Sequence, residues 1–317
     1  MKGEAGLPDI VIAEFMDEAA VDGLRCDFDV LYAPGLVDSP EALKDAVQAA
    51  RALIVRNRTQ VTAELLETAP RLIAVGRLGV GLDNIDLEAC AARGVAVFPA
   101  TGANDRAVAE YVVATTLLLL RGAYLAQDEM LAGAWPRQAL MGGEAAGKTL
   151  GLVGFGAIAR QVAVRAQALG MSVAAVDPFV AAGDPAWRGI ARRDSLDELL
   201  SAADALSLHV PLTETTRGLI DAAALARLRP GAVLINTARG GIVDEAALAE
   251  SLRRGHLGGA ALDVFTTEPL GAADAAKFAG LGNLILTPHI AGVTVESNVR
   301  VSAVTARQVR AALEEQA

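Results

Sequence analysis

The chain has 317 residues, 53% apolar and 21% charged, which excludes a disordered chain and allows about two self-sufficient domains. Lys and Arg number 28 against 38 Asp and Glu, a net charge of −10, so a phosphate backbone would be repelled and nucleic acid is not expected as a partner. Its 31 Gly and 12 Pro follow no triplet period, which excludes a collagen-like fibre.

The N-terminal residues carry Lys2, Glu4 and Asp9 before any apolar run and do not read as a signal peptide. Five short apolar runs follow, at 9–13, 28–32, 52–55, 72–75 and 95–98, with helical patterns between them such as 41–50 and 62–68. Strands apolar on both faces, alternating with helices, predict a covered parallel sheet. A break at 100–103 precedes a long helical pattern, 105–121, and then 122–148 shows no clear strand. The apolar part of that helix ends at Arg121, far short of the about 20 residues a bilayer needs, so no membrane association is expected and the cytoplasm is the default location. Six more strands are predicted at 149–153, 173–176, 205–208, 232–235, 260–262 and 284–286, with helices including 158–168, 195–201 and 245–254. A last helix is predicted from 295 to 315. The fold class is therefore α/β, with two doubly wound parallel-sheet domains: a discontinuous one at 1–102 and 293–317, and a second at 103–292. Cys26 and Cys90 are isolated thiols and there are only three His, so neither a disulfide nor a metal site is expected.

The strongest local motif is Gly154-Phe-Gly156-Ala157-Ile158-Ala159, after a strand and opening a helix. It has the dinucleotide fingerprint spacing: one glycine makes the turn, the next admits a pyrophosphate, and a small third residue packs helix on strand. The next strand ends at Asp177, 21 residues beyond Gly156, where an acidic side chain would accept from both ribose hydroxyls and repel a 2′-phosphate. The cofactor expected is NAD. Gly147-Lys148-Thr149 has the ending of a P-loop, but it precedes its strand and its upstream glycine is misplaced, so it is set aside.

Three further segments, Asn236-Thr-Ala-Arg239-Gly-Gly-Ile-Val-Asp244, Ala261-Leu-Asp263-Val-Phe-Thr-Thr-Glu268-Pro269 and Leu286-Thr-Pro-His289-Ile-Ala-Gly292, resemble the D-isomer-specific 2-hydroxyacid dehydrogenase family. Gly76-Arg77-Leu-Gly79-Val80-Gly81-Leu-Asp83-Asn84-Ile-Asp86 and the stretch from Trp135 to Thr149 place the resemblance nearest its phosphoglycerate-oxidising members. The resemblance implies a flavodoxin-like substrate domain, a Rossmann NAD-binding domain, and Arg239, Glu268 and His289 as the catalytic set. The chemistry of those residue types agrees. An Arg fork suits a carboxylate, a His exchanges a hydroxyl proton near neutrality, and a Glu can orient the imidazole and favour its charged form. For NAD the resemblance implies Gly154, Gly156, Ala157, Ile158 and Asp177, the His209-Val210-Pro211 segment with Thr216, and Thr237, Ala238, Asp263 and Gly292.

For the substrate it implies Arg56, Asn57, Arg77, Gly79, Val80 and Asn104, with the glycine-rich turn after Arg77 as a backbone nest for a carboxylate. The sequence departs from the family in three places: Arg56-Asn57-Arg58 where Arg-Ser is common, Arg106 where an uncharged residue is usual, and Ala157 where the fingerprint commonly has Arg, though its amide remains. Arg56, Arg77 and Arg106 suit a dianionic acid, with Arg106 equally able to form a structural ion pair. 3-Phosphoglycerate comes first on the motifs. Hydroxypyruvate or glyoxylate reduction, sulfolactate oxidation, and an NAD(H)-sensing corepressor-like binding protein are the alternatives. Residues 122–148 resemble a dimerisation arm, with Trp135 and Met141 as anchors of a homodimer.

Overall fold

The computed structural model describes residues 7–315; most of the charged N-terminal stretch lies outside them. In chain order the elements are β1 (Ile10–Ile12), α1 (Glu18–Arg25), β2 (Val30–Tyr32), α2 (Pro40–Val47), β3 (Ala52–Val55), α3 (Ala63–Thr68), β4 (Ala74–Arg77), α4 (Leu87–Ala92), β5 (Ala96–Pro99) and α5 (Asp105–Arg121). They continue with α6 (Gln127–Leu131), β6 (Thr149–Val153), α7 (Ala157–Ala168), β7 (Ser172–Val176), β8 (Ala191–Arg192), α8 (Leu196–Ala202), β9 (Ala205–Leu208) and α9 (Ala222–Arg227). The last are β10 (Val233–Asn236), α10 (Glu245–Arg253), β11 (Gly259–Leu262), α11 (Ala272–Ala275), β12 (Leu284–Leu286) and α12 (Val295–Glu314). The chain forms two compact units, one of Met1–Asn104 with Val293–Ala317 and the other of Asp105–Gly292.

The first unit holds a five-stranded sheet in the order β2-β1-β3-β4-β5, every pair parallel. This is the flavodoxin-like order. Strand alternation divides its apolar runs between two cores. Val11, Leu53, Val55 and Val75 pack with Leu43, Val47, Leu65 and Leu66 on one face. Ile10, Ile12, Ala52, Ile54 and Ala74 pack with Val21, Leu24, Val301, Val309 and Leu313 on the other. Helix α12 thus covers the second face, held at its start by a reciprocal capping box between Thr294 and Ser297. Several ends differ from expectation by a few residues. Thr62 is the cap of α3, accepting from the Leu65 amide, and α2 stops at Val47.

The second unit holds seven parallel strands in the order β12-β11-β10-β9-β6-β7-β8. Counted within the unit, this is the dinucleotide-fold order with one strand added beyond β11. Six strands were expected; the extra one is β8, two exposed residues at the sheet edge, too short and too polar to show an apolar pattern. The sheet reverses direction of winding between β6 and β9, so the loops after Val153 and Leu208 flank the switch point where open α/β sheets take ligands. Residues 122–148 contain no strand among those described; α6 is their one α-helix, and Tyr124, Leu131, Trp135 and Met141 stand exposed along them. No helix among the described residues is long and apolar enough to cross a membrane.

Gly76 shows how closely α12 sits on its sheet. A Cβ there would lie 2.7 Å from both Thr305 Cγ2 and Val309 Cγ2. Gly76→Val is expected to destabilise the first unit by about 1–3 kcal/mol through overpacking. A lowered urea midpoint with an unchanged denaturant slope would register it; an unchanged midpoint would mean the helix yields freely.

Candidate active site

Strands β10, β11 and β12 run side by side and parallel, so the loops at their C-terminal ends meet. The loop after β10 carries Arg239. Asn236, itself 1% exposed, shapes it by donating from Nδ2 to the Arg239 carbonyl at 3.0 Å and accepting the Ala238 amide on Oδ1 at 3.0 Å. The next residue has to be glycine. A Cβ on Gly240 would lie 1.8 Å from the Phe265 carbonyl oxygen, so the β10 and β11 loops touch through bare backbone.

The loop after β11 carries Glu268, fixed through both carboxylate oxygens. Oε1 accepts the Phe265 amide at 2.9 Å, and Oε2 lies 2.7 Å from Nδ1 of His289. Burial works to raise the Glu268 pKa. The His289 hydrogen bond, the Phe265 amide and the nearby positive charge of His289 and Arg239 outweigh it, and the carboxyl is held below its ordinary value. An ionised carboxylate can only accept, so Nδ1 carries a proton in this pair and Nε2 is the ring nitrogen that Glu268 does not engage. His289 is also the one non-glycine residue with positive φ among those described, at 55°. Such a conformation costs about 1–3 kcal/mol and persists only where its surroundings impose it.

Asp263, 1% exposed, imposes it. Oδ1 accepts from the Thr287 hydroxyl at 2.6 Å and the Ile290 amide at 2.8 Å, and Oδ2 accepts the Ala291 amide at 2.8 Å. The carboxylate expected beside a nicotinamide is therefore largely engaged by its own chain, tying down the loop on both sides of His289.

The fingerprint lies at the switch point. Gly154, at φ 87°, could not carry a side chain: its Cβ would stand 2.6 Å from the His209 carbonyl oxygen and 3.0 Å from Val210. Gly156 begins α7 with no side-chain cap, and a Cβ there would meet nothing within 4 Å. The amides of Ala157 and Ile158 thus open a 12-residue helix into free space, a cradle fitted to a pyrophosphate. Asp177 accepts the Phe155 amide at 2.7 Å and the Phe179 amide at 2.8 Å, one on each oxygen. Each oxygen keeps a lone pair for a ribose hydroxyl. The Phe155 ring stacks on Trp187 at 4.8 Å, bracing the turn against the loop after Asp177. Burial pushes the His209 pKa down to about 4, and its Nε2 lies 3.0 Å from the Ser207 hydroxyl, so it is neutral. Thr216 donates to the Pro211 carbonyl at 2.6 Å, which shapes the loop after His209. Thr237 keeps a buried hydroxyl with no hydrogen-bond partner, and Ala238 beside it is buried. Gly292 is the last residue of this unit.

In the first unit, Arg56 follows β3 and Arg77 ends its neighbour β4. Arg56 lies 5.6 Å from the Phe15 ring centre and donates to Asn298 Oδ1 at 2.8 Å; its buried Nε has no partner, and burial lowers its pKa. Asn57 is exposed beside it. Two residues given no site role from the sequence hold this loop. The Glu14 carboxylate, 5% exposed, accepts the amides of Arg56 at 2.8 Å and Thr59 at 2.9 Å. Asn84 donates to the carbonyls of Arg56 at 3.2 Å and Thr59 at 2.6 Å. A polar residue directly after the buried run 10–13 was the available signal for Glu14.

The nest expected after Arg77 needs correction in one respect. The Gly79 amide already donates to the Arg77 carbonyl at 2.8 Å, and the Arg77 guanidinium folds back onto the Leu78 carbonyl, so only the Val80 and Gly81 amides are open. Asn104 keeps a buried Oδ1 with no partner. Arg106 stands exposed in the first turn of α5, in the second unit.

The Glu268 interaction has a pH signature. A carboxyl held low in the fold adds stability that is complete above its unfolded pKa, near 4.5, and lost as pH falls through the folded value. The wild-type urea midpoint should fall as pH is lowered from about 6 to about 3.5. Glu268→Gln should flatten that fall, and an equally steep fall in the variant would contradict the paired carboxylate.

Residues 113–291 match the family model described as the D-isomer specific 2-hydroxyacid dehydrogenase, NAD binding domain. The chain is 60% identical to an (S)-sulfolactate dehydrogenase of Chromohalobacter salexigens over 97% of its own length and 99% of the relative's. It is 43% identical to a D-3-phosphoglycerate dehydrogenase of Mycobacterium leprae, of whose length it spans 57%. Among solved structures, a D-lactate dehydrogenase of Aquifex aeolicus complexed with NAD and lactic acid superposes with a TM-score of 0.86 at 29% identity, covering 96% of each chain. With an NAD fingerprint at the switch point and a His–Glu pair beside an arginine, the chain belongs to the D-isomer specific 2-hydroxyacid dehydrogenase family of NAD-dependent oxidoreductases.

Proposed function

We propose that the protein oxidises a short 2-hydroxy acid bearing a second anion at C3, with (S)-sulfolactate as its substrate. The reaction rests on one observation above the others, the 2.7 Å contact between His289 Nδ1 and Glu268 Oε2. With Nδ1–H committed to Glu268, Nε2 takes the proton of the 2-hydroxyl. The Arg239 guanidinium pairs with the carboxylate and holds C2 in place. NAD, when bound, would supply the hydride acceptor, so that loss of hydride from C2 and of the hydroxyl proton to His289 leaves a carbonyl. The amides of Ala157 and Ile158 would hold its pyrophosphate and Asp177 its ribose. His209, Val210, Pro211 and Thr216 would flank it from the β9 side, with Thr237, Ala238, Asp263 and Gly292 at its nicotinamide end. In the reverse direction His289 returns the proton.

Sulfolactate takes the place of 3-phosphoglycerate, which the motifs alone put first, because the 60%-identical relative carries that name over its full length while the phosphoglycerate relative is far longer than this chain. Handedness agrees. In D-lactate the carboxylate outranks the methyl, but in sulfolactate the sulfur-bearing carbon outranks the carboxylate, so the same spatial arrangement is labelled S. Arg56, whose guanidinium is only partly buried and lies over an aromatic floor, is suited to the sulfonate. Asn57, Arg77, Val80 and Asn104 would take the remaining substrate oxygens, with Arg106 a further cation. A panel of sulfolactate, 3-phosphoglycerate, D-lactate and glyoxylate with NAD(H) tests this. Sulfolactate should give the highest kcat/KM, and Arg56→Ala should lower that value about 10–100-fold while sparing D-lactate, the range expected for one charge-assisted hydrogen bond. A preference for 3-phosphoglycerate or glyoxylate would overturn the substrate. Absence of turnover on every acid would favour an NAD(H)-sensing protein.

We also infer a homodimer formed through residues 122–148, where Trp135 is 75% and Met141 81% exposed. Such large exposed apolar groups on one segment suit an interface core. Light scattering should give twice 32.6 kDa for the wild type and the monomer mass for Trp135→Glu with Met141→Glu; a dimeric double variant would move the interface elsewhere.

A further inference from the structure

Tyr111, in the second turn of α5, enters none of the roles above, yet its hydroxyl lies 2.6 Å from the Thr287 hydroxyl, 176 residues along the chain. Thr287 in turn donates to Asp263 Oδ1 at 2.6 Å. The amides of Ile290 and Ala291 also donate to that carboxylate, and an amide N–H has no other role open to it. The single Thr287 proton is therefore committed to Asp263, and Tyr111 is the donor to Thr287. The chain of bonds runs in one direction, from phenol to hydroxyl to carboxylate, in a half-buried setting where such bonds reinforce one another.

Its geometry surrounds His289. The His289 amide donates to the Thr287 carbonyl at 3.0 Å, so Thr287 closes the turn on one side while Ile290 and Ala291 are pinned on the other. The left-handed backbone at His289 lies between these anchors. Without the Tyr111 hydroxyl, Thr287 loses its hydrogen bond to a 17-residue helix, and the polar anchors left to the loop come from Asp263 and Glu268.

We propose that Tyr111 is a positioning residue for His289, acting through the Thr287 hydroxyl and the Asp263 carboxylate to keep the imidazole aimed at Glu268; this rests on the dehydrogenase reading above. It touches neither substrate nor cofactor in that reading. Its effect should therefore fall on the proton-transfer step and not on binding.

Tyr111→Phe removes the hydroxyl and keeps the ring. In the full-length protein, kcat should fall about two- to tenfold, as for one lost buried hydrogen bond, with the KM of the hydroxy acid and the NADH dissociation constant unchanged. Thr287→Val should behave alike, Thr287→Ser should retain wild-type turnover, and the Tyr111→Phe, Thr287→Val double variant should be no worse than either single one. An independent readout is the imidazole N–H shared with Glu268, followed by proton–nitrogen NMR of the ligand-free protein; with three His in the chain its resonance can be assigned by substitution. That resonance should weaken or shift in Tyr111→Phe. An unchanged kcat with an unchanged resonance would overturn the proposal. So would a parallel loss of kcat, NADH affinity and thermal stability, which is what a merely structural hydroxyl would give. If the wild type turns over no hydroxy acid, the dehydrogenase reading fails, and the NMR comparison alone decides whether Tyr111 sets the imidazole.

Discussion

The His289–Glu268 hydrogen bond joins two loops that leave adjacent strands, and it forms only if both loops hold their shape to within a few tenths of an ångström. Much of the local chemistry of the second unit can be understood from that requirement. Gly240 lets the β10 loop lie directly on the backbone of the β11 loop, Asn236 sets the turn that presents Arg239, and Asp263 secures the β12 loop through its amides and a hydroxyl. None of these residues has to touch a substrate to matter. Their work is to make a strained histidine backbone the lowest-energy arrangement available.

The first unit applies the same device to a cation. A buried carboxylate, Glu14, gathers the backbone amides of Arg56 and Thr59, and so shapes the loop that carries the arginine. Asn84 satisfies the opposing carbonyls.

The sequence made the architecture legible because a parallel sheet covered on both faces produces continuous apolar runs, and those runs survive whatever the loops do. Strand β8 left no such trace, since two exposed residues at an edge have no inward face to be apolar. The fingerprint and the Arg239, Glu268 and His289 segments were legible because glycines and chemically committed residues recur there at fixed offsets. What could not be read was where buried polar atoms find partners. Glu14 and Tyr111 look ordinary in the sequence, and nothing there shows the three donors that Asp263 gathers. The Gly79 amide was similarly lost to a turn that only the backbone path reveals. Such pairings depend on residues tens to hundreds of positions apart, and no local pattern encodes them.

The chain's two tryptophans stand in contrasting surroundings. Trp187 is stacked on Phe155 within the glycine turn and has an indole N–H committed to the Ala181 carbonyl, while Trp135 is open to solvent on residues 122–148. A buried, stacked indole and a wet one emit at different wavelengths. The molecule thus carries two spectrally separable lamps, one set beside the nucleotide cradle and the other on residues 122–148, so events at the two places can be followed in the same cuvette without attaching a dye.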